Sequence, residues 1–173
     1  MRRRLIYPLL LLALLCGLGL RACAEPLVTP LTPRRVPGTA DGGPAPMHLG
    51  PTGQFPALGI TLDTTQPFTY FGEADCWLLV GTDDPGTIGW IAASAATLPE
   101  AIELLFPDAM PASLQEDATL TANPLDDAPN ALFPLSAGTE VLLLAQLGNW
   151  GYVQTTLPDR TPVRAFLPLS ALL

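Results

Sequence analysis

One pattern occurs twice in this sequence, and the repetition limits the folds open to the chain. Phe71-Gly72-Glu73-Ala74-Asp75-Cys76-Trp77-Leu78-Leu79-Val80 is followed by Gly89-Trp90-Ile91-Ala92-Ala93-Ser94-Ala95. Further on, Leu144-Ala145-Gln146-Leu147-Gly148-Asn149-Trp150-Gly151-Tyr152-Val153 is followed by Ala165-Phe166-Leu167-Pro168-Leu169-Ser170-Ala171. The first halves align at an offset of 73 residues (Trp77 onto Trp150) and the second halves at 76 (Ser94 onto Ser170), so one loop is three residues longer in the second copy. A repeat with an insertion in a polar loop is how duplicated small domains look. It points to a binding module before any catalytic group is sought.

Twenty prolines and fifteen glycines in 173 residues punctuate a chain rather than build helices. The expected fold class is therefore all-β, with short strands joined by turns. Each copy is a unit of about 50 to 70 residues, and a ~60-residue domain buries only ~60% of its unfolded surface. The two units are expected to pack on each other.

The first 24 residues read as a targeting segment. Arg2-Arg3-Arg4 is a basic start, Leu5 to Leu20 is apolar and leucine-rich, and Ala22-Cys23-Ala24 fits small-x-small cleavage before Glu25. A membrane anchor is the competing reading, but 16 apolar residues are short for a span of ~20. Lipid attachment at Cys23 is a further variant, with Arg21 a poor fit to its motif. All positive charge is arginine, and cleavage after Ala24 leaves four arginines against sixteen acids, a net charge of −12. Such a surface repels nucleic-acid phosphates and anionic lipid. Cys76 is then the one cysteine left, so no intramolecular disulfide is possible. Beside Trp77 in an apolar run, it reads as a buried structural thiol.

Residues 25–46 recur in proline without hydrophobic periodicity and are expected to be an extended linker. The first unit is expected at 47–98, the second with a linking strand at 99–173. Expected strands in the first are Gly59–Asp63, Phe68–Phe71, Trp77–Val80 and Thr87–Ile91, with a turn at Glu73-Ala74-Asp75 and a short 3₁₀ turn over Ala92–Ala96. In the second they are Ala118–Ala122, Glu140–Ala145, Trp150–Thr155 and Val163–Leu167, with Asn123–Asn130 an irregular loop. Between the units, Ala101–Phe106 is held short by Pro99 and Pro107 and reads as a strand rather than a helical turn.

A Gly-Thr before a buried strand, W-x-x-V, and a closing glycine–aromatic–aliphatic–x-x-Ser-x-Leu pattern resemble the bacterial SH3-like (SH3b) domain. In the second unit the resemblance runs through Leu120, Pro124, Leu135, Gly138-Thr139, Val141, Trp150, Val153, Phe166-Leu167 and Ser170-Leu172, departing at Ala165 where glycine is usual. In the first it rests on Trp77-Val80, Gly89-Ser94 and the loop Leu49-Gly50-Pro51-Thr52-Gly53-Gln54-Phe55, without the Gly-Thr turn. The resemblance implies two tandem small SH3-like barrels and an exported, non-catalytic module. Its implied partners are cell-wall polymer or an envelope protein or peptide.

Catalytic chemistry finds few groups. With one histidine, His48, no lysine and one cysteine after cleavage, most nucleophilic and zinc arrangements cannot be assembled. His48 reads as solvated, and no cofactor or metal is expected. Asp83-Asp84 and Asp126-Asp127 suit turns, where aspartate caps backbone amides. A weak calcium site at Asn123, Asp126, Asp127 and Asn130, or an aspartate-dependent hydrolase, are the alternatives, and no EF-hand-like spacing appears. The better site candidates are aromatic. Tyr70, Trp90, Trp150 and Tyr152 would contact ligand if they line a groove, and would be core if sealed. A structural or assembly module of a larger envelope complex is the third reading.

Overall fold

The computed structural model describes residues 27–83, 86–124 and 131–172. The leader segment 1–24, with Cys23, lies outside them, as do Asp84, Asp126, Asp127 and Asn130. The described chain is all-β, with two six-stranded antiparallel sheets. The first is built from β1 (Arg34–Val36), β2 (Pro44–His48), β3 (Ala57–Asp63), β4 (Phe68–Ala74), β5 (Trp77–Gly81) and β6 (Ile88–Ala92). The second is built from β7 (Met110–Ser113), β8 (Ala118–Thr121), β9 (Ala131–Leu135), β10 (Glu140–Leu147), β11 (Trp150–Thr156) and β12 (Pro162–Pro168). Their spatial orders, β1-β4-β5-β6-β2-β3 and β7-β10-β11-β12-β8-β9, are the same order shifted by six strands. Each closes in a 3₁₀ turn, Ala93–Ala95 and Leu169–Ala171. Among the described residues no helix is long and apolar enough to cross a membrane.

A shared irregularity sets which side chains face where. In β4, Tyr70 lies opposite Val80 and Gly72 opposite Leu79, leaving Phe71 as an extra residue. In β10, Leu143 lies opposite Val153 and Ala145 opposite Tyr152, leaving Leu144 extra. Phe71 and Leu144 are equivalent by the 73-residue offset, so each copy carries the same β-bulge. A bulge breaks the two-residue alternation of faces. Tyr70 therefore enters its own sheet's core with Met47, Phe68, Leu78, Val80 and Ile91, whereas Phe71 enters a different one. Leu143 likewise packs with Leu120, Val153, Val163 and Leu167, while Leu144 joins Phe71.

That third cluster lies between the sheets. Phe71, Leu79 and Trp90 come from the first sheet, and Leu144, Tyr152 and Phe166 from the second. These are three pairs of equivalent positions, so each sheet presents one motif face to its copy. Along β5, Leu78, Leu79 and Val80 are 1%, 0% and 0% exposed. Leu78 and Val80 face the core of their own sheet, and Leu79 faces the sister sheet.

The stretch expected to be a linker departs from that reading. β1 lies within it, β2 begins in it, and its start pairs with the second sheet. Gln146 donates its N–H to Thr29 O at 3.0 Å and Leu31 N–H donates to Gln146 O at 2.7 Å. The segment between the units does the mirror-image thing, with Glu73 N–H to Ile102 O and Leu104 N–H to Glu73 O, both 2.7 Å. Each unit's leading segment is an arm laid on the sister's long strand. Leu31 and Leu104 enter the shared cluster, and burial of their side chains offsets the entropy cost of ordering a proline-rich chain. The segment 101–106 is extended, as expected, with a single parallel bridge, Glu73 to Glu103, onto the first sheet.

Candidate functional site

Tyr70, Trp90 and Tyr152 are 1%, 0% and 2% exposed. No face of these rings meets solvent, which corrects the groove reading for all three. The reason is the bulge and the packing of two sheets, which turn motif aromatics inward on both faces. Trp90 Nε1–H donates to the Tyr152 hydroxyl at 2.7 Å in the buried junction, and the Tyr152 ring packs against Phe166 with centres 4.9 Å apart and planes tilted by 41°. Burial drives the Tyr152 phenol far above its ordinary range, so it stays neutral in the core. The Tyr70 hydroxyl accepts from Ile102 N–H at 3.1 Å and thereby clamps the second arm. Burial raises its pKa as well.

Trp150 is different. It is half-buried at the end of the β10–β11 hairpin and lines a groove of about 480 Å³ with Asn149, Pro168, Leu169 and Ser170. An aromatic ring beside an amide and a hydroxyl offers a stacking face and hydrogen-bonding groups together. Its sister Trp77 is also half-buried, but His48 stands edge-on to that ring at 5.2 Å. The residue equivalent to His48 is Thr121, which brings no ring. His48 is thus not a free surface residue: it pairs with Trp90 across β2 and β6, and its Nδ1 lies 3.2 Å from Phe55 O.

Cys76 corrects a further expectation. Asp75 and Cys76, at φ of 52° and 64°, form the two-residue turn between β4 and β5, a geometry matching a primed hairpin turn. The turn points the thiol outward, and Cys76 is exposed. Asp83 is exposed and bonded to the Arg35 guanidinium, with one contact of 2.7 Å. That hydrogen bond holds its carboxyl below the usual range and raises Arg35. Among the described residues no group of three or more His, Cys, Asp or Glu is placed to hold a metal.

The residue that sequence reasoning passed over is Arg164. Its guanidinium carbon lies 5.6 Å from the Phe55 ring, 5.9 Å from Trp90 and 5.8 Å from Phe106, all within cation–π range. Phe55 sits on the loop 49–56, Trp90 on β6, Phe106 on the second arm and Arg164 on β12, so four elements converge. Gly50 is required there, since a Cβ would overlap the Phe55 ring. Arg164 N–H donates to Leu49 O and Ile88 N–H to Ala122 O, each at 2.8 Å. Ile88 and Arg164 are equivalent by the 76-residue offset, so these bonds form a reciprocal pair across the junction. Burial lowers the pKa of Arg164, with Tyr152 and Asp75 acting in the opposite sense; an arginine nevertheless stays charged.

No protein-family model matches the chain, and no curated protein matches it. Among solved structures the chain is similar to NlpC2 from Trichomonas vaginalis, at 14% identity and a TM-score of 0.33. The match covers 83% of this chain and 48% of that one, so this chain spans about half of that protein's length. A likeness this distant bears on neither activity nor partner.

Proposed function

We propose that the chain is an exported, non-catalytic binding module that acts at the cell envelope and holds wall polymer or an envelope protein or peptide. The observation that carries the reading is Trp150. It is the one of the four candidate aromatics that keeps a solvent-facing ring, and it does so beside the amide of Asn149 and the hydroxyl of Ser170. The repeated motif supports the SH3b resemblance, and two antiparallel sheets of one strand order are compatible with it. Export rests on the basic and apolar segment before Glu25, and mass spectrometry of the mature N-terminus tests it. Retention on purified cell wall, with envelope cross-linking in parallel, tests binding. The full chain should be retained or cross-linked, and Trp150→Ala should weaken capture about ten-fold. No retention and no envelope partner would overturn the proposal.

The assembly-module reading has its own observation. Leu27, Leu105 and Met110 are 47%, 59% and 42% exposed on the two arms and on β7 beside them. Large apolar side chains left outside a core suit contact with another protein. Capture by an envelope protein that persists in Trp150→Ala and disappears in a Leu105→Ser, Met110→Ser variant would favour this second reading.

A further inference from the structure

We propose that Arg164, where the loop 49–56 meets β12, is a receptor for a peptide carboxylate. The site is separate from the Trp150 groove and does not depend on it.

The two copies make the case. The backbone at Ile88 and Arg164 does the same work, one N–H donated across the junction to Ala122 O or Leu49 O. At Ile88 the side chain is 7% exposed and simply fills the interior. The fold therefore accepts an aliphatic residue at this position, and the guanidinium is not needed to build it. Burying part of a charge is costly unless it is paired. Yet Arg164 uses only its Nε, to Gln154 Oε1 at 2.8 Å. Among the described residues its terminal nitrogens make no hydrogen bond to protein, and it joins neither of the ion pairs, which belong to Arg34 and Arg35.

Those terminal nitrogens match a carboxylate. A guanidinium offers two parallel N–H donors in a plane, and it is more weakly hydrated than an ammonium. Aromatic walls exclude water and strengthen such a bond. Phe55 and Phe106 are only partly buried, so they offer an apolar flank to the side chain next to the carboxyl group, which favours a peptide. The chain's net charge of −8 opposes a polyanion, and the field of Asp75 at Arg164 opposes a second negative charge. A singly charged carboxylate meets the least resistance.

The test uses the full chain labelled with ¹⁵N, following the Arg164 Nε–H signal. The probes are N-acetyl-Ala-Ala with a free carboxylate, the same peptide as its C-terminal amide, glucuronate and inorganic phosphate. The peptide acid should shift the signal and saturate it, the amide should bind about ten-fold more weakly or worse, and Arg164→Ile should abolish the response. Equal binding of acid and amide would overturn the proposal. So would an unmoved signal at millimolar peptide, or a preference for glucuronate or phosphate. Should Arg164→Ile fail to fold, the acid–amide comparison on the unsubstituted chain still decides.

Discussion

Ile88 and Arg164 occupy one position in two copies of the same sheet, as do Trp77 and Trp150. In the first copy Ile88 is sealed and Trp77 has His48 against its edge. In the second, Arg164 sits among three rings with its terminal nitrogens free of protein partners among the described residues, and Trp150 borders an open groove. The positions that keep one role in both copies, such as the bulged Phe71 and Leu144, hold the sheets together. Duplication here supplied a scaffold from matching residues, and the second copy exposes chemistry where it diverged from the first.

The largest effects should come from the shared cluster. Trp90→Ala and its equivalent, Phe166→Ala, each empty a fully buried site and should each cost about 3–5 kcal/mol in urea unfolding. A large gap between the two would break the equivalence. Next come the arms. Leu31→Ala and Leu104→Ala remove side chains that are 4% and 9% exposed, and each should cost about 2–5 kcal/mol, with Leu104 the milder. A silent Leu31→Ala would return the first arm to the status of a linker. Tyr152→Phe is smaller, about 1–3 kcal/mol, because it leaves the Trp90 N–H buried without its acceptor; leucine, which stands at the equivalent position 79, has no hydroxyl to lose.

Much of this was legible before the structure, and the failures have physical causes. Strands with β-branched and aromatic alternation, β3 to β6 and β10 to β12, fall close to their expected bounds. β2 hid behind proline. Its burial alternates, with Ala45 and Met47 inside and Pro44 and Pro46 outside, so the two-residue period was present with prolines on the outer face. Both prolines pair in register with β3, and they lie beyond the single β2–β6 pair, His48 with Trp90, so an N–H missing on that side removes no bond to β6. β9 is absent from the expected strands, and Pro134 masks it in the same way. The aromatics were weighed as groove or barrel core, whereas Trp90 and Tyr152 seal a junction between units. Arg164 carried a usable signal, since aligning the copies at 76 residues sets a charge against isoleucine.

The smallest predicted effect is at the surface. Asp83 has a depressed carboxyl pKa because Arg35 bonds its charged form, so its stabilisation is present above the ordinary aspartate pKa of ~3.9 and is lost as pH falls through the depressed value. Thermal melts of the unsubstituted chain and Asp83→Asn should differ slightly at neutral pH and converge in strong acid. A gap that persists there would place the effect elsewhere.

The interlocked arms and the Trp90–Tyr152 junction make one cooperative body of the two sheets. Differential scanning calorimetry of the full chain tests this most directly. One transition, with calorimetric and van't Hoff enthalpies equal, is the predicted result. Two separable transitions, one for each sheet, would contradict it.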